Sequence, residues 1–227
     1  GIGPDWRGIS LTMPLKREVL PLLTARDDLV DRVAAANTVL LADGARHGFN
    51  TDVGGIVDAF RERGVGSLDT VHVLGAGATA GSVLAAAAAL GARQAIVSAR
   101  DTAKARSLQP IADAVGVDLV IRRFGIADRS LIIPSAVVST LPGGADADIA
   151  FPMELRAATP LFDIAYGHGT SAISAAWEEA GGTVIPGLLM LLHQAVRQVR
   201  VFVDGSPDVV LAREAEVVAA MRAAIGL

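Results

Sequence analysis

Apolar residues in the middle of the chain fall into short continuous runs separated by longer stretches of helical period. Residues 70–74 (Thr-Val-His-Val-Leu), 94–98, 118–121, 136–139 and 161–164 are β-branched or apolar runs of strand length. Gly75-Ala-Gly77 follows the first run and leads into an alanine-rich helical stretch that reaches Leu90 and stops at Gly91. Residues 101–115 read as a second helix ended by Gly116. Residues 171–180 read as a third, ended by Gly181-Gly182, with a last short strand at 183–185. Strands alternating with helices of this length predict a parallel, doubly wound sheet.

The two ends follow another pattern. Residues 15–23 and 27–35 read as short helices, and residues 37–41 and 46–50 flank Asp43-Gly44, a hairpin signal. Residues 52–64 read as one helix ended by Gly64, 187–204 as a long apolar helix and 208–224 as another. No internal repeat or charge block interrupts them.

Composition narrows the chemistry. A length of 227 residues fits one large domain or two small ones. Lys and Arg number 20 against 24 Asp and Glu, a net charge of −4, which gives no electrostatic reason to expect a nucleic-acid or anionic-membrane partner. The absence of Cys excludes disulfides, thiolate zinc sites and cysteine nucleophiles, and the four His stand at no metal-ligand spacing. Mean hydropathy is high, at +0.47, and raises the question of a membrane span. The most apolar stretches, 83–90 and 188–192, fall short of the ~20 residues a span needs, and no apolar leader opens the chain. The expectation is a cytoplasmic protein.

Gly75-x-Gly77-x-x-Ala80 lies between a strand and a helix, where a dinucleotide fingerprint belongs. The first glycine permits the tight turn, the second lets a pyrophosphate approach, and Ala80 lets the helix pack close to the strand. The helix N-terminus then offers unpaired N–H groups to phosphate. At the end of the next strand, where the ribose is read, stand Arg100 and Asp101. Arginine suits the 2′-phosphate of NADP and aspartate the free 2′-hydroxyl of NAD, although Asp101 could also simply cap a helix. The balance leans to NADP. The fold class expected is α/β: a doubly wound Rossmann-type nucleotide domain (65–186) inserted between two segments of a smaller α/β substrate domain (1–64, and the helices of 187–227).

The front of the chain carries polar residues that suit ketone reduction. Read singly, Thr12, Lys16, Asn37 and Asp52 are a turn residue, a solvated cation, a turn former and a helix cap. Read together, a Lys held by an Asp can give a proton to a developing alkoxide, while Asn, Thr and Gln suit a polyhydroxylated ring.

Ser10-Leu-Thr12-Met-Pro14-Leu-Lys16 resembles the N-V-T-x-P-x-K motif of the shikimate dehydrogenase family, with Ser10 and Leu11 in place of Asn and Val. Ala36-Asn37-Thr38 is similar to its A-x-N-T segment, Gly48-Phe49-Asn50-Thr51-Asp52 to G-x-N-T-D, and residues 75–80 to its glycine loop. Ala99-Arg100-Asp101 stands where the family often has Asn-Arg-Thr. Ser139-Thr140-Leu141-Pro142 resembles its T-P stretch, residues 163–166 its D-x-x-Y segment, and Gly187-Leu-Leu-Met190-Leu-Leu-His-Gln194-Ala195 its G-x-x-M-L-x-x-Q-A.

The resemblance implies Lys16 and Asp52 as the catalytic pair. It implies Thr12, Asn37 and Gln194 on the ring hydroxyls, with Tyr166 near the carboxylate and nicotinamide. Gly75, Gly77, Ala78, Thr79, Ala80, Arg100, Asp101, Thr140, Gly187 and Met190 would line the cofactor. The implied reaction is the reversible, NADP-dependent reduction of 3-dehydroshikimate to shikimate in aromatic amino-acid (chorismate) biosynthesis, without a metal. Alternatives are an NAD-preferring quinate/shikimate dehydrogenase and a non-catalytic binding or regulatory homologue. Oligomeric state stays open, with a homodimer compatible. The family's opening segment, with serines for the substrate carboxylate, has no counterpart ahead of Gly1. Without those roughly fifty residues the small sheet would lose strands, so residues 1–227 alone are expected to bind NADP but not shikimate.

Overall fold

The computed structural model describes residues 5–125, 132–142, 150–166 and 169–227. Its first part holds β1 (Gly8–Ser10), α1 (Leu15–Glu18), β2 (Ala25–Arg26), α2 (Asp28–Val33), β3 (Thr38–Ala42) and β4 (Ala45–Phe49). The strands form a small sheet in the order β1-β3-β4-β2. β3 and β4 are the expected hairpin: Asp43 and Gly44 both take positive φ, the two-residue turn that matches strand twist. The single helix expected over 15–23 is instead α1 followed by a 3-10 turn, Leu20–Leu22. Pro21 sits at the start of that turn and cannot supply the N–H that would continue α1. Asp27 caps α2 by accepting from Val30 N, and Ala34 ends it in the left-handed region.

α3 (Asp52–Glu62) leaves the small sheet and leads to the nucleotide-type half. There follow β5 (Thr70–Leu74), α4 (Ala78–Ala89), β6 (Gln94–Ala99), α5 (Thr102–Arg106), α6 (Gln109–Val115), β7 (Asp118–Arg123), β8 (Ala136–Ser139), α7 (Met153–Ala158), β9 (Leu161–Asp163), α8 (Ala172–Glu179) and β10 (Val184–Pro186). The six strands run parallel in the order β10-β9-β8-β5-β6-β7. The order reverses between β5 and β8, so their C-terminal ends open a crevice suited to a nucleotide. The helix expected over 101–115 is split into α5 and α6, with Pro110 at the start of the second.

α9 (Gly187–Asp204) ties the halves together. Leu189 and Met190 join the main core with Ile56 and Phe60 of α3, whereas Val201, a few turns on, packs with Leu40 and Phe49 of the small sheet. α10 (Glu214–Ile225) starts later than the expected residue 208 and buries no residue. Polar contacts hold it. Arg200 Nε donates to Glu214 at 2.7 Å, Glu214 accepts from Leu211 N at 3.1 Å, and Arg222 pairs with Glu62.

The hydrogen bond from Arg200 holds the Glu214 carboxyl below its usual range, with the N–H of Leu211 adding to it. A depressed carboxyl stabilises above its unfolded pKa, and that stabilisation disappears as pH falls through the lower folded value. Acidification below roughly pH 4 should therefore loosen α10 before the sheets. Hydrogen exchange should show α10 amides losing protection first, with Glu214→Gln reproducing the loss at neutral pH at a cost of about 1 kcal/mol.

Candidate active site

Four residues distant in sequence meet between α1, α3, β3 and α9. Asp52 is the first residue of α3, and its Oδ2 lies 2.7 Å from Lys16 Nζ of α1, with the side chains only 4% and 13% exposed. The other carboxylate oxygen, Oδ1, accepts from Asn37 Nδ2 at 2.9 Å. The same amide nitrogen lies 3.0 Å from Gln194 Oε1 of α9 and 2.9 Å from Thr51 Oγ1. Thr51 Oγ1 also lies within donating distance of Asn37 Oδ1, at 3.2 Å, and of Gln194 Oε1, at 3.5 Å. Thr51 N also donates to Asn37 Oδ1, at 2.8 Å. A continuous polar chain, Lys16–Asp52–Asn37–Gln194, results.

Local structure places each member. Asn50, the residue before the Thr51 N-cap, ties the start of α3 down, its Oδ1 accepting from Val53 N and its Nδ2 donating to Ala35 O, which fixes where Asp52 emerges. Main-chain bonds from Ala36 N to Lys16 O and from Leu11 N to Asn37 O cross-link the 10–16 and 36–37 segments. Among the described residues, Asp52 is the hydrogen-bond partner of the Lys16 ammonium, which leaves two N–H donors for a substrate oxygen. Thr51 was not among the residues expected here. Its hydroxyl next to Asp52 in the N-T-D run was the available signal.

Thr12 is exposed between β1 and α1, and Tyr166 beyond β9 is half exposed. Neither side chain is hydrogen-bonded to this network among the described residues. Asp163 anchors the stretch that carries Tyr166, accepting from Ser171 Oγ at 2.5 Å and Ser174 Oγ at 2.9 Å.

The nucleotide side has the shape a pyrophosphate needs. Gly75 has φ +103°, and a Cβ there would lie 2.6 Å from Thr140 Oγ1, whose hydrogen goes to Leu74 O at 2.8 Å. Gly77 is the N-cap of the twelve-residue α4, no side chain caps that helix, and a Cβ on Gly77 would project into open space. Ala78 and Thr79 lie in its first turn, and Ala80 is fully buried against the core. This arrangement fits a dinucleotide. Arg100 is exposed at the end of β6, while Asp101 Oδ1 accepts from Ala103 N at 2.8 Å and Lys104 N at 3.2 Å, capping α5. Gly187 allows the start of α9 to close on β9, since a Cβ there would meet Ile164 O at 2.3 Å. Met190 is buried in the core at 6% exposure.

Among the described residues, no helix is long and apolar enough to cross a membrane, and no group of three or more His, Asp or Glu is placed to hold a metal.

A doubly wound parallel sheet with an uncapped glycine loop, joined to a second, smaller sheet whose flanking helices hold an ammonium–carboxylate pair, defines a two-lobed nicotinamide-nucleotide dehydrogenase. No family model matches the chain. It is 31% identical to the quinate/shikimate dehydrogenase (NAD(+)) of Corynebacterium glutamicum and 31% identical to the shikimate dehydrogenase (NADP(+)) of Rubrobacter xylanophilus. Each alignment covers 92% of this chain and 76% of the relative. Among solved structures, Mycobacterium tuberculosis shikimate dehydrogenase superposes with a TM-score of 0.78 at 32% identity, covering 98% of this chain and 80% of that one. Quinate dehydrogenase from Corynebacterium glutamicum, in complex with NAD, superposes with a TM-score of 0.81 at 29% identity, covering 98% and 79%. The chain belongs to the shikimate/quinate dehydrogenase family.

α3 and α9 approach so closely at Gly55 that a Cβ there would lie 2.8 Å from Gln194 N and 3.0 Å from Met190 O. Both are main-chain atoms of α9 and cannot swing aside. Gly55→Ala should cost about 1–3 kcal/mol of stability and displace Gln194 from Asn37. Thermal unfolding would measure the first effect, and the KM for the ring substrate the second.

Proposed function

We propose that the protein catalyses the NADP-dependent, reversible reduction of 3-dehydroshikimate to shikimate. The single observation that carries this reading is the Lys16–Asp52 pair held at 2.7 Å and continued through Asn37 to Gln194. When bound, the nicotinamide supplies hydride to the carbonyl carbon, or takes it from the alcohol carbon. Lys16 gives its proton to the carbonyl oxygen in reduction and receives it from the hydroxyl in oxidation. Asp52 holds the ammonium in place and balances its charge, so the proton moves within a fixed geometry. Asn37, Gln194 and Thr12 would orient the ring hydroxyls by donating and accepting, and Tyr166 would sit at the carboxylate and nicotinamide end. Gly75, Gly77, Ala78, Thr79 and Ala80 would hold the pyrophosphate, Arg100 the 2′-phosphate, and Thr140, Gly187 and Met190 the nicotinamide end.

The division of labour follows the two sheets: residues 1–64 and 187–227 for the ring substrate, 65–186 for the nucleotide. The proposed setting is the cytoplasm, and a homodimer is compatible with it.

A second reading, an NAD-preferring quinate/shikimate dehydrogenase, is favoured by Asp101 beside Arg100 and by the NAD-dependent Corynebacterium glutamicum relative. Initial rates with both acids and both cofactors, using protein expressed from its complete reading frame, separate the two. NADP with shikimate should be the fastest pair, and a faster rate with NAD and quinate would overturn the main reading.

Lys16→Met should lower kcat by ~10²–10⁴-fold with the Kd for NADP little changed, because the proton donor lies outside the nucleotide half. Asp52→Asn should follow with a smaller loss, and near-normal turnover in the Lys16 variant would remove the pair from the mechanism. Arg100→Ala should weaken NADP roughly tenfold or more and NAD less, as expected for a charge-assisted contact to phosphate. Equal losses for both cofactors in fluorescence titration would take Arg100 off the 2′-phosphate.

A further inference from the structure

Gln198 lies one helical turn beyond Gln194, so both amides leave the same face of α9. It is buried, at 9% exposure, and both ends of its amide are engaged. Oε1 accepts from Ser10 Oγ at 2.9 Å, and Nε2 donates to the main-chain O of Asn37 at 3.3 Å. The same carbonyl accepts from Leu11 N at 2.7 Å. Asn37 is therefore gripped twice, its side chain by Gln194 and its main chain by Gln198.

Packing alone does not call for an amide here. A Leu or Met would fill this face of α9 without the cost of burying polar atoms, and Val201 already anchors the helix on Leu40 and Phe49. The β1–β3 ladder, with Ser10 opposite Thr38 and Leu11 N on Asn37 O, already joins these two segments to each other. What the amide adds is a polar tie from α9 to both of them at the point where the ladder ends. Ser10 is the last residue of β1, two positions before Thr12 and six before Lys16. Asn37 immediately precedes β3.

We propose that Gln198 is a positioning residue, pinning α9 to the end of the β1–β3 pair so that Thr12, Lys16, the Asn37 amide and Gln194 meet the ring substrate in one register. The proposal rests on the dehydrogenase reading above. Gln198 touches no reacting atom in this scheme. Its loss should appear in substrate KM and in the order of Asn37, not in cofactor binding.

The test compares Gln198→Leu and Ser10→Ala with the protein from its complete reading frame. Ser10→Thr, which keeps the hydroxyl, serves as the rescue, and the double variant completes the cycle. KM for shikimate should rise about five- to twentyfold in both single variants, with kcat within about threefold and the Kd for NADP within about twofold. The double variant should be no worse than the poorer single one, because both remove the same link. Ser10→Thr should stay near wild type. NMR exchange of the Asn37 side-chain amide should be at least about tenfold faster in both single variants, without substrate present. If Gln198→Leu fails to fold, Ser10→Ala on the exposed strand decides. KM and Asn37 exchange both within twofold of wild type would overturn the proposal, as would a loss confined to thermal stability. A wild-type protein inactive on shikimate would overturn the functional reading alone, and the Asn37 exchange would still decide the clamp.

Discussion

The close crossing of α3 and α9 at Gly55 is the constraint on which the remaining geometry depends. A backbone approach this tight leaves no room for a side chain, and it brings Asp52 at the start of one helix and Gln194 midway along the other to the same Asn37 amide. The same two helices link the sheets. Ile56 and Phe60 of α3, with Leu189 and Met190 of α9, are buried in the large core, and Val201 of α9 is buried against the small sheet. Phe60 meets Phe162 of β9 edge-on, with ring centroids 5.1 Å apart. The relative placement of the lobes is thereby written into apolar packing, which is stiff and intolerant of added volume.

The polar chain built on that frame follows a different economy. Asn37, Thr51, Asp52 and Gln198 are all buried, and an unsatisfied member would cost more than a hydrogen bond contributes. Here each amide and carboxylate oxygen has a partner, and each link joins different segments of the chain. Within this network, among the described residues, the Lys16 ammonium keeps two N–H donors beyond its bond to Asp52. Gln194 parks its Nε2 on Leu191 O of its own helix, a contact that the proposed ring substrate would replace with one of its hydroxyls. Rigid acceptors with exchangeable donors describe a site ordered before its ligand arrives.

Strand runs, the hairpin at Asp43-Gly44 and the glycine loop were legible in sequence because each depends on local chemistry: period, left-handed φ, or a missing Cβ. The pairing of Lys16 with Asp52 was not legible from spacing, and only the run of family-like motifs suggested it. Gln198 and Thr51 escaped for a related reason. Gln198 bonds Ser10 from 188 positions away and belongs to no motif, while Thr51 stands inside the N-T-D run but its bond to the Asn37 amide is visible only once the strands pair. Helix extents failed where proline intervened. Pro21 and Pro110 each fit the apolar period of a longer helix yet begin a new turn, because the ring removes the N–H that would have continued the old one. The short strands β1 and β2 carried too few residues to show any alternation.

The same logic bears on the cofactor end, where Arg100 and Asp101 pointed to different nucleotides. A carboxylate reads a ribose diol by accepting hydrogen bonds from it, and it repels a phosphate in the same place. In Asp101 one oxygen already accepts from two backbone N–H groups of α5, which orients the carboxylate toward the helix and sets partial positive charge against its own. Arg100 has no such commitment among the described residues and is exposed at the strand end. Two adjacent charges of opposite sign therefore do not cancel as nucleotide signals. The helix cap occupies the aspartate, and the arginine would be left to face the ribose of the proposed NADP. On this geometry the pair favours a 2′-phosphate, by the position of its cation and not by the absence of an anion.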